Sequence, residues 1–150
     1  MKTLYTFLAL IIYSSIFSQI EEKDGIYYTK EGETYTGLYS EYYNDGGVKI
    51  QTELKDGKPN GVTTLFYPNG KIKEKRSYSE GIMNGEWITY FENGEKSAIA
   101  YYKNGLKDGQ WFVWDENGTL RYDMSYLEGN KTGVWKMFDE KGKLINEKNY

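Results

Sequence analysis

The sequence has no cysteine and no histidine. Without cysteine there is no disulfide, no thiolate nucleophile and no Cys-ligated zinc. Without histidine the usual general base, the Ser-His-Asp arrangement and the commonest metal ligand are missing. An excess of positive charge is also lacking: 19 basic residues face 22 acidic ones, for a net charge of −3. Phosphate contacts supply most nucleic-acid affinity, so a weakly acidic chain without a basic stripe is not read as a nucleic-acid binder. No segment keeps a helical period. What the chain does have is aromatic: 16 tyrosines and four tryptophans, which bury large area with few rotatable bonds.

Glycine placement reveals the organisation. One series is Gly37, Gly61, Gly85, Gly109 and Gly133; a second is Gly46, Gly70, Gly94, Gly118 and Gly142; a third is Gly57, Gly81, Gly105 and Gly129. Each steps by 24 residues, and together they hold 14 of the 17 glycines. A fixed period of this length is the mark of a repeat array. The cassette is clearest at Tyr102-Lys-Asn-Gly105-Leu-Lys-Asp-Gly109-Gln-Trp111-Phe-Val-Trp114-Asp-Glu-Asn-Gly118.

Residues 1–18 have the layout of a signal peptide: Lys2, an apolar run from Leu4 to Phe17, then the charged stretch Glu21 to Asp24. Cleavage is expected after Ser18, and the rival reading is an uncleaved anchor. The signal-peptide reading implies an exported protein, in the periplasm, at the cell surface or secreted. Residues 19–36 are expected to be a lead and a degenerate capping repeat, with Tyr28, Gly32 and Gly37 standing for the Tyr-Gly-Gly of later cassettes. Residues 37–150 divide into five repeats of 24 residues, the last one partial.

Each repeat reads as two strands. Leu120, Tyr122, Met124 and Tyr126 alternate with polar residues, the period of a half-buried strand. The second repeat is rougher, because Glu74 and Arg76 interrupt the alternation. The turn before this strand ends in Gly46, Gly70, Gly94, Gly118 or Gly142. Pro68 suits the first central position of a type I turn, with Asn69 second and Gly70 in a left-handed bulge position. Longer charged loops, such as Asn104 to Asp108, are expected to lead into the next repeat. Parity then places Tyr42, Phe66, Tyr90, Trp114 and Phe138 on the face of the alternating second-strand residues, and Tyr39, Trp87, Trp111 and Trp135 on the other. A further bulge would instead turn the tryptophans inward, and the two alternatives stay open here.

The order Tyr-x-x-Gly-x-x-x-Gly-x-Trp, followed by aromatic-x-x-Asn-Gly, resembles the MORN (membrane occupation and recognition nexus) repeat. Its 24-residue spacing is most similar to the bacterial MORN-variant repeats, a group with antitoxin-like members of toxin–antitoxin systems. The resemblance implies an all-β, elongated, twisted antiparallel sheet of tandem hairpins used for binding, with no catalytic residue to carry over.

The expectation is therefore a non-enzymatic exported scaffold that binds another protein, antitoxin- or immunity-like, with no cofactor and no metal. The alternative is a surface module whose aromatic ladder holds cell-envelope glycan or lipid. The candidate binding surface is Tyr39, Trp87, Trp111 and Trp135; the competing view is that these rings only pack as structure. Evenly spaced exposed tryptophans would favour glycan or lipid, and a continuous apolar patch a protein. A carboxylate-pair hydrolase would require a walled cleft. No loop matches the EF-hand pattern, and no glycine-rich loop leads into a helix. Exposed edge strands leave oligomer formation open.

Overall fold

The computed structural model describes residues 20–150. The expected signal peptide lies outside the described residues. Strands β1 (Ile20–Lys23) and β2 (Ile26–Thr29) form a separate hairpin. The remaining strands build one 11-stranded antiparallel sheet laid out in sequence order. They are β3 (Gly37–Tyr42), β4 (Val48–Lys55), β5 (Lys58–Phe66), β6 (Ile72–Ser79), β7 (Ile82–Tyr90), β8 (Lys96–Lys103), β9 (Leu106–Lys107), β10 (Gly109–Trp114), β11 (Leu120–Leu127), β12 (Asn130–Phe138) and β13 (Leu144–Asn149). The short β9 pairs β8 and continues into β10 as one interrupted strand. At ~4.8 Å per strand the sheet runs on the order of 50 Å.

Two kinds of turn alternate along it. In the first, the Gly70 N–H donates to Tyr67 O at 2.9 Å while the Tyr67 N–H reaches Lys71 O at 2.8 Å. Gly70 has φ +79°, so this is the expected three-residue turn with a left-handed glycine and a bulge. The second kind differs from expectation. No long charged loop is present: Asp56-Gly57, Glu80-Gly81, Asn104-Gly105 and Glu128-Gly129 each close a two-residue hairpin in which both residues have positive φ. That is the type I′ geometry, whose twist matches the strands, and it leaves Leu106 and Lys107 free to pair.

Neighbouring repeats are bolted at these turns. Gly57, Gly81, Gly105 and Gly129 donate their N–H to the carbonyls of Tyr35, Pro59, Met83 and Lys107 at 2.7–2.8 Å. The preceding N–H groups, of Asp56, Glu80, Asn104 and Glu128, donate to side-chain oxygens of Thr36, Asn60, Asn84 and Asp108. Turn donors that a lone hairpin would leave to water are thus satisfied by the previous repeat.

The lead hairpin docks on this pattern through Tyr27 and not Tyr28. Tyr27 O accepts from Tyr35 N, its N–H donates to Gly57 O, and its ring lies 4.8 Å from Tyr39. Tyr28 instead bridges to Thr34.

One bulge per repeat decides the faces. Val113 pairs with Tyr122, but Trp114 pairs with Leu120, leaving Arg121 as the extra residue. Lys49, Lys73, Ser97 and Ile145 hold the same place elsewhere. The extra residue reverses parity. Trp111 therefore pairs with Met124 and shares its face with Tyr122 and Tyr126, whereas Trp114 sits on the opposite face, 5.8 Å from Phe112. The simple-parity assignment is thus inverted, and aromatics occupy both faces.

Among the described residues no second layer covers the sheet, so burial is lateral. Among the described residues only Leu54, Ile88 and Ala100 are buried apolar groups, alongside Thr52, Thr63 and Glu74, and no side chain is fully enclosed. Beside the bulges, long side chains tie repeats together: Tyr43 and Tyr67 donate their hydroxyls to Phe66 O and Tyr90 O, and Arg121 donates Nε to Phe138 O.

Candidate binding face

Cross-strand register places Tyr39, Trp87, Trp111 and Trp135 on one face, but only three of them are joined. From Trp87 onward, tryptophans and strand-ending tyrosines alternate: Trp87, Tyr102, Trp111, Tyr126, Trp135, Tyr150. Successive centroids are 5.2, 5.5, 5.2, 5.1 and 4.9 Å apart, with tilted planes. Such offset pairs contribute ~0.5–1.5 kcal/mol each beyond area burial. Two ring nitrogens are anchored as well, Trp111 Nε1 to Tyr101 O at 3.3 Å and Trp135 Nε1 to Ser125 O at 2.9 Å. Tyr39 stands apart, because Thr63 fills the tryptophan position of the second repeat.

Lysines lie over the rings. Lys107 Nζ is 4.3 Å from the Trp111 centroid and 4.8 Å from that of Tyr126; Lys131 Nζ is 4.4 Å from Trp135 and 4.8 Å from Tyr150. Four residues of regular strand would separate Lys131 from Trp135 by ~13 Å. The strand is shortened at Gly133, where Asp123 pairs with Lys136 but Ser125 with Thr132. Gly133 has φ +66° and Gly109 φ +113°. A Cβ at Gly109 would lie 3.1 Å from Tyr101 Cβ. Gly109 and Gly133 of the first glycine series thus fold Lys107 and Lys131 back over the tryptophan that follows each.

The second repeat solves the same packing differently. Glu74 is 7% exposed on this face. It accepts from Trp87 Nε1 and, at 2.8 Å, from Arg76 Nη2. The Arg76 guanidinium lies 4.7 Å above the Trp87 ring. Arg76 thus covers the space beside Thr63 that a tryptophan fills in later repeats, and Glu74 neutralises it. The two residues that interrupt the alternation thus lie on the ring face.

Burial raises the Tyr102 hydroxyl above its ordinary value of 10.0, helped by the charge of Glu74. Burial also raises Tyr39, with Glu41 adding, and Tyr27, with Tyr39 adding.

Among the described residues, no group of three or more carboxylates is placed to hold a metal. Glu74, the buried carboxylate, is committed to Arg76 and Trp87 with no second carboxylate facing it. Lys107, Lys131, Arg76 and Glu74 were not singled out from sequence as part of this surface. The signal for the lysines was present, since each stands four residues before a repeated tryptophan. No helix among the described residues is long and apolar enough to cross a membrane, a statement that does not bear on β-barrels.

The family model described as MORN repeat variant matches four consecutive segments, residues 59–80, 83–104, 107–128 and 131–150. A comparison with curated proteins finds no match. The matched segments step by the same 24 residues and run from one type I′ turn to the next. Since they cover more than half of the chain, the protein belongs to the MORN repeat variant family.

Proposed function

We propose that the protein is a non-enzymatic scaffold whose ring face binds another protein. One observation carries this reading: the Trp87-to-Tyr150 rings form a continuous strip and not a set of isolated exposed tryptophans. Continuous aromatic area is the composition of interface cores, and a polar rim surrounds such cores. Membership in a family of repeat modules is compatible with it. The apolar opening of the chain supports an exported protein, so the partner is sought in the cell envelope or outside it. A secreted toxin is one such partner, which would make the protein immunity-like.

The test is affinity capture from native cell envelope with the mature chain, beside a Trp111→Ala/Trp135→Ala variant and a Lys107→Glu/Lys131→Glu variant, each checked by circular dichroism. A protein retained by wild type and lost by a folded variant supports the reading. Retention by both folded variants moves the partner to the loops or the sheet edge. Recovery of glycan or lipid alone replaces the protein with the alternative ligand.

A further inference from the structure

The ring face changes character along its length. From Met83 onward, apart from the paired Arg121 and Asp115, the charged strand residues of this face are lysines: Lys107 opposite Tyr102, Lys131 opposite Tyr126 and Lys148 opposite Trp135. Carboxylates in the same half lie in turns or on the other face, as with Glu86 opposite Tyr101 and Asp123 opposite Lys136. Among the described residues none of the three lysines has a carboxylate within ion-pair distance. In a chain of net charge −3, half of one face is therefore cationic and unneutralised.

The cations come at a fixed pitch. Lys107 and Lys131 are one repeat apart, and two strands at ~4.8 Å set equivalent side chains ~10 Å apart. A polyproline II segment turns once in three residues at ~3.1 Å each, which is ~9 Å. Such a segment lying across the strands brings every third residue to the same place in each repeat. Preformed polyproline segments dock on aromatic-lined surfaces, because little entropy is lost and the rings stack on proline. Between the lysines this face offers Val113, Met124 and Met137, apolar groups that suit proline. At its end is a depression of about 280 Å³ bordered by Tyr122, Met124, Trp135, Met137, Lys148 and Tyr150. It is mainly apolar, with Lys136, Asn146 and Lys148 also lining it, and has room for a ring or aliphatic side chain.

We infer that this half of the ring face binds an acidic polyproline II segment of a partner protein, running across the strands with a carboxylate at every third residue. The carboxylates draw Lys107 and Lys131 off the rings, prolines take their place on Trp111 and Trp135, and an apolar residue enters the depression. The inference rests on the protein-binding reading above and names the partner's chemistry.

The experiment titrates the mature chain into a labelled peptide of repeated Glu-Pro-Pro triplets and follows polarisation at low salt. Comparison ligands are repeated Lys-Pro-Pro, a peptide of equal composition with its glutamates gathered at one end, and a polysaccharide with one uronate per disaccharide. The triplet peptide is expected to bind most tightly, and added salt to weaken it. Lys107→Gln/Lys131→Gln should cost roughly tenfold in affinity, while the double arginine variant retains it. Equal binding of the gathered peptide overturns the pitch match. Preference for the polysaccharide, or no response to the glutamine variant with its fold intact, overturns the inference. If no peptide binds but ring-dependent capture of a protein persists, only the partner's chemistry is wrong. If capture also fails, the protein-binding reading falls with it.

Discussion

The Arg76 guanidinium lies 4.7 Å above the ring of Trp87, and both donate to the same carboxylate, Glu74. Glu74 is buried and Arg76 is partly open to water. Removing Glu74 strands a cation on an aromatic face; replacing the whole pair does not.

Glu74→Ala should therefore cost about 2–4 kcal/mol, the lower part of the range for breaking a buried pair because Arg76 is part-exposed. Glu74→Ile with Arg76→Met takes side chains that other repeats carry at these positions, Ile50 and Met124, and should be neutral or stabilising. Urea unfolding of both variants beside wild type checks the contrast.

Trp135 touches Tyr126 and Tyr150 at once. Trp135→Ala should cost about 2–3 kcal/mol, below the ~3–5 typical of a fully buried tryptophan, since this ring is half-buried. In an array the loss stays with nearest neighbours. Hydrogen exchange should rise in β12 and β13 while β5 to β7 keep their protection. A uniform rise across the sheet would contradict the nearest-neighbour picture.

Two glycines with positive φ should behave differently. Gly118, φ +77°, has open space where a side chain would go, so Gly118→Asn should cost less than ~1 kcal/mol. Gly109, φ +113°, faces Tyr101 at close range, so Gly109→Ala meets both strain and a contact. It should cost roughly 2–3 kcal/mol and loosen Lys107 from Trp111. Thermal unfolding measures the first effect and tryptophan fluorescence the second.

Alkali should weaken the fold at its rings. Burial raises Tyr102, Tyr39 and Tyr27 above the ordinary value of 10.0 that the unfolded chain keeps. Their contribution is fully present below ~pH 10 and is lost as pH rises through the higher folded values. Tyr102→Phe should make stability less sensitive to alkali in that window. Parallel urea titrations at neutral and alkaline pH, with tyrosinate absorbance, test this.

The repeat length, the strand-turn-strand plan and the bulged turn at Pro68-Asn69-Gly70 were legible in the residues, because left-handed positions and fixed proline angles are local. The type I′ turns were not. Glu80 and Asn104 take positive φ only because the next residue is glycine and the previous repeat receives their N–H groups. Tyr27 was also hidden behind Tyr28, since pairing with Tyr35 and not spacing selects between them.

By itself, the sequence determined a 24-residue all-β array, through glycines at left-handed positions and aromatics that recur in step with them. Only the tertiary structure decided which face holds the tryptophans and what covers them. One extra residue per repeat reverses parity, and where it falls is set by hydrogen-bond register between strands. The shortening at Gly109 and Gly133 depends on that same register, and it brings Lys107 and Lys131 onto rings that strand geometry alone would leave out of reach.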